Sequence, residues 1–286
     1  MKRDRMFYLI KKNKDISSFS AIRQFAKEHG IKKIGHTGTL DPLATGLLLV
    51  ASDEDTKLIQ YIDNKIKGYI VEGQFGYSTD SYDITGNVTN QVDSVVDLET
   101  LNQQLLKLSQ IDSQYPPIFS AKKINGKKAY DLARQNIHVE MKKQKIKVFD
   151  YELLHFNQET QKFKIYFQVS EGTYIRTLVH DLGLMCNSLG TMLELDRCEI
   201  GELSSNLLGG DDYKKIEYSQ LFKLPTYSFS KKDYLFLKDG RNIIINEPDG
   251  IYLLINSKNE VAGILEVNNY VGKAKKMFLK RLSVYE

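Results

Sequence analysis

From Phe163 to Val169 apolar and polar residues alternate strictly (Phe-Lys-Ile-Tyr-Phe-Gln-Val), which predicts a strand with one buried face. Lys67 to Phe75 alternates in the same manner, with Tyr69 and Val71 on one face, and Ile146 to Phe156 reads as a further strand. The short apolar run Phe7 to Ile10 predicts a first strand, and Leu47 to Ala51 a buried strand or the start of a buried helix. Helical spacing places Ile22, Phe25 and Ala26 on one face, after the capping serines Ser17, Ser18 and Ser20 and before Gly30 at the C′ position. Other helices are predicted at Lys57 to Ile62, Leu98 to Leu108, Ala129 to Arg134 and Thr177 to Leu189. The elements do not alternate as strict βαβ units, so the pattern favours an α+β domain with a central, largely antiparallel sheet. Near Leu224-Pro225 the pattern changes to short runs (Ile243 to Ile245, Ile251 to Ile255, Val261 to Val267, Met277 to Leu282) separated by turn residues. This predicts a β-rich C-terminal module, with domains at 1–224 and 225–286.

Composition narrows the classes. With 286 residues, 42% hydrophobic and 27% charged, the chain is long enough to bury a sizeable core. The formal charge of +4 is only mildly basic, but from Lys122 to Lys147 there are nine Lys or Arg against two acids. Clustering of that kind suits phosphate binding, although a solvated lysine-rich surface explains it as readily. The two cysteines, Cys186 and Cys198, match neither a disulfide framework nor a zinc pattern. The apolar part of the N-terminus is only Met6 to Ile10, and no stretch reaches the length of a membrane span, so the expected location is the cytoplasm. No GxxxxGK[ST], GxGxxG, HExxH or CxxC motif is present, so no nucleotide cofactor and no metal are expected.

The unusual segment is Gly35-His36-Thr37-Gly38-Thr39-Leu40-Asp41-Pro42-Leu43-Ala44-Thr45-Gly46. Its glycines allow sharp turns and close approach to a ligand. Pro42 restricts Asp41 to extended backbone, which would hold its carboxylate on a stiffened loop. Asp before Pro is equally good as a helix N-cap with Pro at the first helical position, and local chemistry supports the two readings alike. Arg176, at the junction between the best-patterned strand and a helix, could reach across the sheet to a carboxylate, which its fork suits for bidentate pairing, and Tyr69 beside Gly68 could stack on a base. Taken singly, a surface arginine and a packing tyrosine are the plainer readings.

Together these segments resemble the TruB family of tRNA pseudouridine synthases. The resemblance runs through GHTGTLDPLATG, KGYIVEGQFGYSTDSYDITG from Lys67, PPIFSAKKINGKKAYDLARQ from Pro116 and EGTYIRTLVHDLG from Glu171. It implies the pseudouridine synthase fold and isomerisation of uridine 55 in the tRNA T loop, with no cofactor. It implies Asp41 as the catalytic aspartate, Arg176 as its partner and Tyr69 as the residue stacked on the target base. His36, Tyr174, Leu195 and Lys12 are implied on the substrate side. The C-terminal stretch is similar to a short PUA-type RNA-binding domain, and the expected partner is the tRNA T arm, bound by a monomer. Two departures stand out: Lys12-Asn13-Lys14-Asp15 replaces the family's usual Lys-Pro followed by Gly, and Lys142-Lys143-Gln144-Lys145 replaces an Arg-Pro. Two rivals share the same residues: a non-catalytic RNA-folding protein on this scaffold, and a glycosidic-bond hydrolase using Asp80 or Asp83 as a second acid.

Overall fold

The computed structural model describes residues 6–63, 65–120, 122–124, 127–128 and 141–282. Seven strands form the backbone of the main sheet: β1 (Phe7–Lys12), β2 (Thr45–Ser52), β3 (Ile66–Phe75), β4 (Val148–Asn157), β5 (Lys162–Ser170), β6 (Gly190–Ile200) and β7 (Tyr213–Ile216). Their order is β4-β5-β3-β6-β2-β1-β7, with short strands Ile34–His36 and Leu203–Ser204 attached to β2 and β6. All pairings are antiparallel except β6 with β2, where Asp196 lies opposite Thr45 and Arg197 opposite Gly46. The expected largely antiparallel sheet of an α+β fold is present. The parallel splice explains Gly46: its φ is +104°, and a Cβ there would collide with the backbone of Arg197.

Three helices cover one face. α1 (Ser18–Glu28) is capped by Ser17, whose side chain accepts from the Ser20 amide, and it buries Ile22, Phe25 and Ala26. α2 (Leu98–Leu108) is capped by Asp97 and buries Leu101, Leu105 and Leu108 along one stripe. α3 (Ile175–Met185) buries Ile175, Leu178, Val179 and Leu182. These side chains pack with Val71, Phe163, Ile165, Phe167 and Leu195 from the sheet into one apolar cluster.

Three expectations need correction. Lys57 to Ile62 is not one helix but two 3₁₀ turns, Asp53–Lys57 and Ile59–Tyr61. Residues 190–200, for which no strand was expected, form the central strand β6. Met277 to Leu282 is not a strand, because pairing ends at Met277 and the chain turns into the short helix α5 (Leu279–Leu282). The helix expected at Ala129 to Arg134 lies outside the described residues.

Beyond Leu224 a second sheet contains β8 (Thr226–Ser228), β9 (Ile243–Ile244), β10 (Gly250–Ile255), β11 (Val261–Asn268) and β12 (Val271–Met277), in the order β8-β10-β11-β12-β9. A helix, α4 (Lys231–Leu237), precedes β9. Leu253, Val261, Ile264 and Phe278 from this part pack against Phe7, Leu9, Leu47 and Leu49, the rear face of β1 and β2. No helix of the described residues is long and apolar enough to cross a membrane.

Candidate active site

Asp41 lies on the connection between the Ile34–His36 strand and β2. Its carbonyl accepts a turn hydrogen bond from the Ala44 amide at 3.1 Å, and Thr45 then enters β2. No helix follows, so the N-cap reading is set aside. Four residues fix the loop. Ser18 at the start of α1 exchanges two hydrogen bonds with Leu40, donating to its carbonyl at 3.0 Å and accepting from its amide at 2.8 Å. Lys12, fully buried at the end of β1, donates to the carbonyls of Asn13 and Pro42 at 3.0 Å and to that of Ala44. Arg197, buried on β6, donates to Leu47 at 2.8 Å and Gly38 at 3.1 Å. Asp15 reaches the same loop through its amide, which donates to Pro42 at 2.9 Å while its own φ is +63°. The departure from Gly in this segment is thus accommodated by an aspartate in the left-handed conformation, one of the few non-glycine residues that tolerate it.

Arg176 comes from the first turn of α3 and is only 4% exposed. Its Nε lies 2.9 Å from Asp41 Oδ2 without hydrogen-bond geometry, and Nη2 donates to Oδ1 at 3.3 Å, so charge and one hydrogen bond join the pair. The rest of the fork is also occupied: Nη1 meets Asp83 Oδ2 at 3.3 Å and donates to the Ser81 carbonyl at 3.0 Å, while Nη2 donates to the Phe119 carbonyl at 3.0 Å. The Asp41 side chain keeps 36% of its surface, so one side of this ion pair remains open.

The surroundings tune these groups. Enclosure pushes the Asp41 carboxyl above its usual range; the charge of Arg176 opposes this, and that of Asp83 reinforces it. Burial lowers the Lys12 ammonium to about 8, with Asp41 and Asp15 opposing. Burial and the Arg197 charge lower the His36 imidazole below its ordinary value, so it is neutral at pH 7. Its Nδ1 accepts from the Gly38 amide at 3.2 Å, which leaves Nε2 as the donor.

The residues expected on the substrate side fall into two groups. Tyr69 and Leu195 are buried in the apolar cluster with Leu40, Leu43 and Ala44, and so lie under the Asp41 loop. Tyr69 stands on β3 between Phe167 and Arg197 of the neighbouring strands, and among the described residues its hydroxyl has no hydrogen-bond partner. Tyr174 is half-buried at the N-cap of α3, where its amide donates to Gln114; burial raises its phenol, and the Asp41 charge adds to that. His36 is held in the loop itself. Lys12 is different: its ammonium is surrounded by backbone carbonyls, so it shapes the loop and is not presented to a ligand. Asp83 and Arg197 were missing from the expected site. Asp83 is buried and accepts from the Ser81 hydroxyl at 2.8 Å and the Thr85 amide at 3.0 Å.

The same fold occurs in the chain of a Cbf5-Nop10-Gar1 complex, with a TM-score of 0.66 at 17% identity over 97% of this chain and 87% of that one. It recurs in an H/ACA RNP bound to a substrate RNA containing 2′-deoxyuridine, with a TM-score of 0.62 at 16% identity over 96% of this chain and 86% of that one. These likenesses define the architecture as the pseudouridine synthase fold. Sequence comparison is more specific. The model of the TruB family pseudouridylate synthase N-terminal domain matches residues 26–175. A tRNA pseudouridine synthase B of Mycoplasma mobile is 42% identical over 279 residues, covering 97% of this chain and 96% of that protein. The enzyme of the same name from Fusobacterium nucleatum is 36% identical, covering 91% and 95%. The chain belongs to the TruB family.

Proposed function

We propose that this protein isomerises uridine 55 in the T loop of tRNA to pseudouridine, with Asp41 as the essential carboxylate. The observation that carries this reading is the Asp41–Arg176 ion pair at 2.9 Å, open on one side and set on a loop tied at Leu40, Pro42 and Ala44. The full-length relatives named tRNA pseudouridine synthase B support the same substrate.

The reaction breaks the bond from uracil N1 to ribose C1′, turns the base, joins C5 to C1′ and releases the C5 proton. Arg176 favours the ionised form of Asp41 by charge and hydrogen bonding and fixes its plane. The carboxylate then acts on the nucleotide, as nucleophile at C1′ or C6 or as base at C2′. Tyr69 stacks on the uracil in both halves of the reaction, and its hydroxyl assists removal of the C5 proton. His36 and Tyr174 contact the flipped-out nucleotide, and Leu195 completes the apolar floor. Extruding the uridine costs a few kcal/mol. Phosphate contacts from the basic segment at 122–147 and from the 225–286 module, which we take as a PUA-like RNA-binding domain beside a catalytic domain at 1–224, offset that cost. The enzyme works as a cytoplasmic monomer on the T arm.

The test is incubation with unmodified tRNA tritiated at uridine C5. Label release is expected for the wild type, is lost with a transcript carrying cytidine at position 55, and is lost in Asp41→Asn while tRNA binding survives. Substantial release by Asp41→Asn would overturn the assignment. Free uracil as product would replace it with glycosidic hydrolysis.

A further inference from the structure

Outside the catalytic loop, a groove of about 750 Å³ lies between the outer side of α1 and residues 31–34. Phe19, Arg23 and Lys27 succeed one another at four-residue spacing and form an exposed stripe on α1 that flanks the buried stripe of Ile22, Phe25 and Ala26, with Ala26 at the groove's edge. Gly30, in the left-handed conformation, ends the helix and turns the chain back, so that Lys32 and Lys33 line the same groove. All four cations are exposed, and among the described residues none of them forms an ion pair and no acid lines the groove. Two acids lie nearby but make no ion pair with these cations. Glu28 accepts from Gln24 at 3.0 Å and borders a separate cavity, and Asp53 accepts from the Lys33 amide at 3.3 Å. Phe19 is 65% exposed, with the Arg23 guanidinium 5.7 Å from its ring centre.

Among the described residues, a largely exposed phenylalanine thus sits beside four cations that form no ion pair. The groove's chemistry suits a polyanion carrying flat rings. Lys33 leads directly into the Ile34–His36 strand, so about 10 Å of extended chain separates it from His36. We propose that this groove is a phosphate-backbone site for the RNA strand leading away from the modified nucleotide, with Arg23, Lys27, Lys32 and Lys33 on phosphates and Phe19 available to an unpaired base. The proposal rests on RNA being the substrate, as argued above, and adds a second surface to it. Charge clustered on one groove lowers the dissociation constant through counterion release, which makes the site measurable by salt dependence.

The experiment compares Arg23→Gln/Lys27→Gln and Lys32→Gln/Lys33→Gln with the control Lys107→Gln/Lys162→Gln, which removes the same charge from α2 and the start of β5. Binding of an unmodified tRNA transcript is titrated from 50 to 300 mM salt. Each groove variant is expected to flatten the slope of log K against log salt by about 1.4–1.8 and to raise Kd about tenfold at 150 mM salt. The kinetic loss falls on KM rather than on kcat, and the control keeps the wild-type slope. Wild-type slopes in both groove variants, or a loss confined to kcat, overturn the proposal. A wild-type protein that binds tRNA but makes no pseudouridine defeats the functional reading instead, and the slopes still decide the groove.

Discussion

Arg176 joins two carboxylates, and this gives Asp41 a pH behaviour that can be measured. In the proposed mechanism Asp41 acts as the anion, and enclosure holds its carboxyl above the ordinary aspartate range. Protonation on acidification removes the active form, so the acid limb of the single-turnover rate lies at higher pH than an isolated aspartate would give. The Asp83 charge contributes to that elevation, so Asp83→Asn should move the limb to lower pH; a limb that stays or rises would contradict this coupling. Arg176→Lys keeps a cation but loses the planar guanidinium that reaches Asp41, Ser81 and Phe119 at once, so its rate should fall by about 100-fold or more. The pairing of Arg176 with Asp41 was expected from the resemblance and is present in the fold. Asp83 was legible only as an acid in a polar loop, because its relation to Arg176 spans 93 positions and exists only once the sheet and α3 are assembled.

At the scale of elements, the catalytic loop has no regular structure of its own and is immobilised by what surrounds it. Lys12 is the firmest anchor. Lys12→Met keeps the bulk but strips the partner from three carbonyls, and should cost about 2–4 kcal/mol in denaturant unfolding. The single-turnover rate should fall more than tRNA affinity does, since the loop is misplaced and the RNA contacts remain. An unchanged unfolding midpoint would mean the carbonyls find water at no cost. The strand that carries Arg197 escaped the period-2 pattern for a physical reason. Two register shifts interrupt β6, between Met192 and Glu194 and between Arg197 and Glu199, and a bulge reverses which residues face inward. Its inward-pointing arginine also breaks the apolar signal. The strand Phe163 to Val169 has neither interruption on its β3 side, and its alternation was plain.

Over the whole molecule, the second sheet is joined to the first by apolar packing and by one buried polar cluster. Arg281 meets Asp55 at 3.0 Å, and Tyr218 donates to the other Asp55 oxygen at 2.8 Å, with Asp55 fully buried. Arg281→Met alone leaves that carboxylate without its cation and should destabilise the protein by about 3–5 kcal/mol, whereas Asp55→Leu/Arg281→Met should lose much less than the two single changes added together. Strict additivity in urea unfolding would show that the pair is not coupled. None of this cluster was visible in the sequence, where Asp55 sits in a polar stretch and Arg281 at the end of a run expected to be a strand. The chain alone determined the family, the α+β class and most helices and strands, and it singled out the segment around Asp41, because these depend on short-range periodicity and on ordered motifs. Tertiary structure decided the roles of Lys12, Asp83, Arg197 and Asp55, because a buried charge is defined by partners far away in the chain. It also decided that Asp41 caps no helix: the backbone after Pro42 enters β2, and the carboxylate is left for Arg176.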